Sequence, residues 1–342
     1  MNSFIPPFDF QKIFVAPWTT DFTSYGWVML MGFFVATACG LVGNYLILRR
    51  MALVGDAISH SVLFGIAVGF IVLVSTAPPR AGAEAVAAHL SKWRSTAMFF
   101  GALGAGLLTT LIIELIHKKS RIKQDAAIGI TFTTLFALGV VLITNFASKV
   151  DLDQECVLYG EIGNISLDTP YVQLGSVVLG PPSLVRMALV TLVVSLLIII
   201  FYKELLVSSF DSGLAFSLGI NATVVHYGLM SVLSVVVVSA FESVGAILVI
   251  AMLILPGATA SLLSQRLSVI LCLSVLHAAS SSVLGMHLGV WLNCSPAGAM
   301  VVMGGVLFCA AWIFSPTNGL LSHWLRAKAA VIEPAHIEVE KA

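Results

Sequence analysis

The sequence predicts an all-α polytopic integral membrane protein with eight to nine transmembrane helices, and three observations carry that prediction. Hydrophobic residues make up 58% of the 342-residue chain, charged residues only 10%, and the mean hydropathy is +1.01. A water-soluble chain carries about 25% charged residues, so this one lacks the polar surface that water requires. Apolar runs of about 20 residues, long enough to cross hydrocarbon as helices, recur along the chain. Finally, the basic residues gather in alternate connections between those runs. The 17 basic residues are matched by 17 acidic ones, leaving no net field for a polyanion. An ordinary soluble enzyme, a disordered tail and a nucleic-acid binder are thereby excluded.

The start, MNSFIPPFDFQKIF, lacks a basic region followed by an apolar core and a small-residue cleavage site. The first apolar run is therefore expected to stay in the mature protein. Spans fall near 25–48, 53–76, 96–117, 126–147, 183–203, 268–291 and 297–315. The stretch from His226 to Ser264 is too long for one crossing at 1.5 Å per residue, so a split is placed near Glu242. With the N-terminus outside, Arg49, Arg50, Lys118, Lys119, Arg121, Lys123, Lys203, Arg266, Arg326, Lys328 and Lys341 fall on inner segments. That asymmetry obeys the positive-inside rule and predicts the N-terminus out and the C-terminus in. An eight-span count puts both ends on one side and misplaces one set of basic loops. Of the outer segments, 77–95 is Ala-rich after Pro78-Pro79 and reads as a short surface helix. Segment 148–182 reads as a solvated acidic loop, with Asp151, Asp153, Glu155 and Glu161, followed by an interfacial or re-entrant piece.

Polar residues inside apolar runs mark function in membranes. Asp56 and His60, in GDAISHSVLFG, are four residues apart and share one helix face, with Ser59 and Ser61 nearby. A carboxylate with an imidazole suits a divalent transition metal such as Mn²⁺, Fe²⁺ or Zn²⁺. Spacing alone favours a packing hydrogen bond between them over an ion site. Glu242, in VVVVSAFESVGAILVI, either lines a wet cavity or caps a turn near the outer surface. His226 lies sixteen residues before it, about 24 Å along a straight helix, so one unbroken helix cannot bring both to one ion. Glu114 is close enough to Lys118 to pair with it. His277 and His287 read as hydrogen-bonding residues within the membrane. The five cysteines are scattered singly and form no chelating spacing.

The chain has no G-x-x-x-x-G-K-[ST] phosphate loop and no H-E-x-x-H helix. Between two spans lies YKELLVSSFDSGLAFSLGI, residues 202–220, with Phe210, Asp211, Ala215 and Gly219 at near-helical spacing. It reads either as a cytoplasmic docking element, with a small-residue face and a Phe210 anchor, or as a loop helix resting on the bilayer.

The run LVGNYLILRRMALVGDAISHSVLFGIAVGF is followed in order by HKKSRIKQDAAIGITFTTLFALGVVLI, DLDQECVLYGEI, the 202–220 segment, SVGAILVIAMLILPGATA and SPAGAMVVMGGVLF. Together, over about residues 25–320, these pieces closely resemble the membrane permease of the zinc/manganese/iron family of ABC importers. The resemblance implies a type II ABC importer-like permease domain over 25–320, after an extracytoplasmic segment 1–24 and before a cytoplasmic tail 321–342. It implies that Asp56 and His60 contact metal on the translocation path, which reverses the order favoured by spacing. It makes His226 a path residue and Glu242 a position that varies in the family and tunes which metal passes. It assigns Phe210, Asp211, Ala215 and Gly219 to the helix that docks on the ATPase.

The chain itself is then no enzyme and holds no tight cofactor; manganese, zinc or iron is its transported substrate. The implied partners are an ATP-binding ABC subunit, an extracytoplasmic metal-binding protein, a second permease copy or paralogue in a homo- or heterodimer, and lipid, with no nucleic acid. The implied place is the bacterial cytoplasmic (inner) membrane. An ion-coupled secondary transporter, a membrane enzyme and a permease for a metal chelate are the competing readings. Asp56 near the inner edge and Glu242 near the outer edge cannot share an ion unless Gly55 breaks the helix and lets Asp56 sit deeper.

Overall fold

Hydrocarbon offers no partner to a backbone N–H or C=O, so the apolar runs satisfy these groups internally as helices. The computed structural model describes residues 6–19, 22–76, 83–146, 162–174, 177–315 and 319–322. Asp151, Asp153, Glu155 and Glu161, and the tail residues Arg326, Lys328 and Lys341, lie outside the described residues. The helices are α1 (Phe22–Leu48), α2 (Leu53–Thr76), α3 (Ala83–Lys119), α4 (Gln124–Phe146), α5 (Pro182–Ile200), α6 (Tyr202–Phe210), α7 (Ser212–Ser217), α8 (Ala222–Leu263), α9 (Leu267–Leu292) and α10 (Pro296–Phe314). Among the described residues eight helices are long and apolar enough to cross a membrane, and a further apolar helix, Leu248–Leu263, is shorter.

Of the two outer segments, the first differs from expectation. Residues 83–95 do not form a separate surface helix; they are the leading turns of α3, as alanine-rich sequence with no breaker allows. The described part of 148–182, where an interfacial or re-entrant piece is expected, is a 3₁₀ turn, Ile162–Leu167, and a short antiparallel pair, β1 (Val172–Leu174) with β2 (Val177–Gly180).

Small residues and single hydrogen bonds hold the bundle, as expected where helix and lipid are equally apolar. The α2–α3 seam closes on Gly65 and Gly101, each of which brings its carbonyl within 2.3 Å of where a Cβ on the other would sit. Helix α1 is the hub, and its residues from Val35 to Leu46 are almost all buried. Its Asn44 amide donates to Ser274 of α9 at 2.9 Å, and its Met29 and Phe34 carbonyls accept from Ser282 of α9 and Thr191 of α5. These pairings run α1 and α9 antiparallel.

Helix α8 is a hairpin. Ser234 lies against Gly106 of α3, and Phe241 clusters with Val62 and Ala102. Further on, the Leu253 carbonyl meets Gly43, and the Leu262 carbonyl accepts from Ser315 at the end of α10. Both ends of α8 therefore sit at the end of the bundle that carries Arg49, Lys118 and Arg266. A straight helix of 42 residues would be about 63 Å long and overshoot any bilayer. The turn is made at Gly245, with φ 76° and ψ 167°, a conformation suited to glycine. The expected split near Glu242 is thus realised three residues later.

The α1–α2 connection is as tight as the chain permits. The Met51 N–H bonds the Leu46 carbonyl at 2.8 Å and the Arg50 N–H bonds that of Ile47 at 3.0 Å, a Schellman ending with Arg50 at φ 58° in the glycine-favouring position. Helix α2 then runs unbroken from Leu53 through Gly55, so no break at Gly55 carries Asp56 deeper.

Two stability predictions follow from these contacts. A Cβ at Gly43 would lie 1.8 Å from the Leu253 carbonyl oxygen, whereas one at Gly104 meets nothing within 4 Å. Gly43→Ala is expected to destabilise by about 1–3 kcal/mol or more through overpacking, and Gly104→Ala to stabilise by about 0.5–1 kcal/mol; thermal melting in detergent ranks the two. Arg50→Gly relieves the left-handed backbone and should raise the melting temperature by the equivalent of about 1 kcal/mol.

Candidate functional site

Asp56 sits in the first turn of α2, and His60 one turn further on. His60 Nε2 lies 3.3 Å from Asp56 Oδ1, and the two side chains are 35% and 34% exposed. The imidazole stacks on Phe132 of α4 at 5.5 Å, with Phe136 edge-on at 6.1 Å. A pair of polar groups is thus held rigidly on an apolar face and left open on one side. An ion about 2.1 Å from both atoms would see them at an angle of about 100°, which tetrahedral and octahedral coordination both accept. Ser59 and Ser61 do not join them. Ser59 bonds back to the Gly55 carbonyl, and Ser61 bonds back to Ala57 while accepting from Thr109 of α3 at 2.6 Å.

His226 is placed elsewhere. On the first turns of α8, its Nε2 lies 3.0 Å from Glu114 Oε2 of α3, and its Nδ1 is 3.4 Å from Arg49 Nη1. Glu114 also takes Lys118 at 2.6 Å, the i,i+4 pair legible in sequence. Burial pushes the Arg49 guanidinium below its usual range, yet it stays charged near neutrality. Glu242 follows Phe241 at the hairpin turn of α8, beside the Val62 level of α2 and beyond the Asp56 turn. The structure therefore groups Asp56 with His60, and His226 with Glu114 and Arg49. Among the described residues no three His, Cys, Asp or Glu side chains converge as a metal site.

Of the remaining histidines, His277 is buried with Nε2 unpartnered. His287 donates from Nδ1 to the Ile13 carbonyl at 2.8 Å and accepts at Nε2 from the Trp18 indole at 3.2 Å. It pins a strap, residues 6–19, across the end of α9 opposite the basic end.

The 202–220 segment forms two short helices. Asp211, extended at φ −147°, caps α7 by accepting from the Gly213 and Leu214 N–H groups at 2.8 and 3.1 Å. Gly219, at φ 77°, closes it as a Schellman stop, the Ile220 N–H bonding the Ala215 carbonyl at 2.9 Å. Ala215 is fully buried and presents nothing to a partner. The outward residues are Phe210, 66% exposed, Phe216, 83% exposed, Leu214 and Leu218. Sequence reasoning missed this division, as it missed Phe132, Phe136 and the contact of Arg49 with His226. The Asp-Ser-Gly run beginning at Asp211 and the Gly219 stop were the readable signals for the ends of α7.

The model of the ABC 3 transport family matches residues 21–315. The manganese transport system membrane protein MntD of Bacillus subtilis is 41% identical over 300 residues, covering 88% of this chain and 95% of that protein. The zinc transport system membrane protein TroD of Treponema pallidum is also 41% identical, over 90% of this chain and 78% of that protein. Among solved structures, PsaBC from Streptococcus pneumoniae in complex with Fab superposes with a TM-score of 0.70 at 32% identity. That match covers 94% of this chain and 100% of that one.

Removing the cap should loosen α7 selectively. Asp211→Ala is expected to cost about 1 kcal/mol locally, seen as an about fivefold faster hydrogen exchange of the 213–218 amides, and Asp211→Ser should restore most of the protection.

Proposed function

The chain belongs to the ABC 3 transport family, and from that premise we propose that it is the membrane-spanning permease of an ATP-driven importer for divalent transition metal ions. The observation that carries this reading is the Asp56–His60 pair, half-open and framed by Phe132 and Phe136. A carboxylate and an imidazole facing lipid would be costly, so the open side faces a second permease copy or paralogue and the wet path between them. Two donors per chain hold an ion loosely, which transport requires, because an ion bound too tightly does not leave. Oxygen and nitrogen donors suit manganese, zinc and iron, and the relatives divide between manganese and zinc by name.

The apolar knobs Phe210, Leu214, Phe216 and Leu218 stand on or beside α6 and the Asp211-capped α7, at the basic end of the bundle, the cytoplasmic end under the positive-inside rule. They suit a groove on a separate ATP-binding subunit, which hydrolyses ATP while this chain performs no catalysis and holds no tight cofactor. An extracytoplasmic binding protein delivers the ion at the opposite end, near the 6–19 strap. Alternating access then passes it by Asp56 and His60, and Glu242 at the hairpin turn tunes which metal passes. Residues 25–320 form the permease domain of a multi-pass protein of the bacterial cytoplasmic membrane, between an extracytoplasmic 1–24 segment and a cytoplasmic 321–342 tail.

The test is uptake of Mn²⁺ and Zn²⁺ into liposomes holding the permease, its ATPase and its binding protein. Asp56→Ala and His60→Ala should each lower uptake by about tenfold or more, the worth of a charge-assisted contact of roughly 1.5–3 kcal/mol, with the complex intact. Normal uptake in both variants, or no association with an ATPase, overturns the reading.

A further inference from the structure

At the basic end, one guanidinium joins four helices. Arg49 Nε donates to Ser209 Oγ at 3.1 Å and Nη2 to Ser208 Oγ at 2.9 Å, both on α6, while Nη1 reaches His226 Nδ1 of α8 at 3.4 Å. An arginine N–H can only donate, so His226 Nδ1 carries the lone pair and Nε2 carries the proton that it donates to Glu114 of α3. Both ring nitrogens are thereby engaged, and Lys118 holds Glu114 from its other oxygen. The line runs Ser208 and Ser209, Arg49, His226, Glu114, from the first helix of the docking segment to two membrane helices. All three guanidinium nitrogens take part, a planar fork that no lysine reproduces.

What lies at either end of this line gives it meaning. Helix α6 leads through Asp211 into α7 with no intervening loop. On the other side, α3 packs on Ile58, which is fully buried and two residues in sequence from each of Asp56 and His60. Gly106 of α3 comes so close that a Cβ there would lie 3.2 Å from both the Ile58 and the Ser234 side chains. Arg49 is also covalently close to that turn: the Schellman ending at Arg50 leaves four residues between α1 and α2, and Asp56 follows seven after Arg49. Movement of α6 and α7 reaches His226 and Glu114 through hydrogen bonds, and α8 and α3 carry it on as helices to Ser234 and Gly106 at the Ile58 seam.

We propose that Arg49 is a positioning residue that clasps the docking segment to α8 and α3 through His226 and Glu114, so that displacement of α6 and α7 is delivered to the turn bearing Asp56 and His60. The inference rests on the permease reading above, and it gives His226 the task of orienting Arg49 and not of holding the ion.

The experiment reads ions moved per ATP hydrolysed, using radiolabelled Mn²⁺ and the complete complex of permease, ATPase and binding protein in liposomes. Arg49→Gln and the double variant Ser208→Ala/Ser209→Ala should keep hydrolysing ATP while ions per ATP fall by about tenfold, within the range of a coupling between sites. Arg49→Lys should not restore the ratio. His226→Ala should uncouple as well, and His226→Gln, whose amide both accepts from Arg49 and donates to Glu114, should recover most of the ratio. An unchanged ratio in Arg49→Gln overturns the clasp, as does an equal loss of hydrolysis and uptake in both the arginine and the serine variants. Failure of His226→Gln to improve on His226→Ala assigns the histidine to the ion and also overturns it. Wild-type vesicles that take up no Mn²⁺ would instead bring down the permease reading itself, a result distinct from all of these.

Discussion

A polar group in hydrocarbon must find a partner inside the protein or a wet surface to face, and much of this structure answers to that demand. Backbone groups meet it by forming helices, and Asn44, Thr191 and Ser282 meet it by bonding across α1. Where the backbone leaves the helix at Gly245, it does so at a buried position. Asp56 and His60 answer only in part, through each other and two phenyl rings. The remaining side of the pair is left exposed. Glu114, by contrast, is answered by Lys118 and His226.

Features set by neighbours in the chain were legible in advance. The Asp56–His60 pair was readable because i and i+4 share a helix face, and Glu114–Lys118 for the same reason. The long stretch after His226 had to break because its length exceeds a bilayer. Its fracture fell at Gly245 and not at Glu242 because glycine, and not the charge, tolerates the required φ.

Features set by distant neighbours were hidden. Arg49 could be counted as a positive charge, but its partners lie 159 to 177 residues away. Phe132 and Phe136 looked like any apolar helix residues until α4 was laid on α2. Ser59 and Ser61 looked like companions of Asp56 and His60, yet hydroxyls in helices often bond back one turn, and these do. Ala215 belonged to a small-residue pattern that suggested close approach by a partner; the approach is real but internal, because α7 lies down on the body of the protein and turns Phe216 outward. The strap was unreadable for a related reason, since nothing local announces that His287 will hold Ile13 and Trp18.

The hairpin of α8 also constrains how the molecule is made. Its second arm, Leu248–Leu263, has 16 residues, about 24 Å of helix against a hydrocarbon core of about 30 Å, so it is a weak signal for independent insertion during synthesis. Its carbonyl at Leu253 and its Pro256 ring fit only against Gly43 and Gly40 of α1, a helix synthesised some two hundred residues earlier. The arm is therefore received by a surface already waiting in the membrane. The order of the genetic text, with the hub first and the short arm late, doubles as an order of assembly.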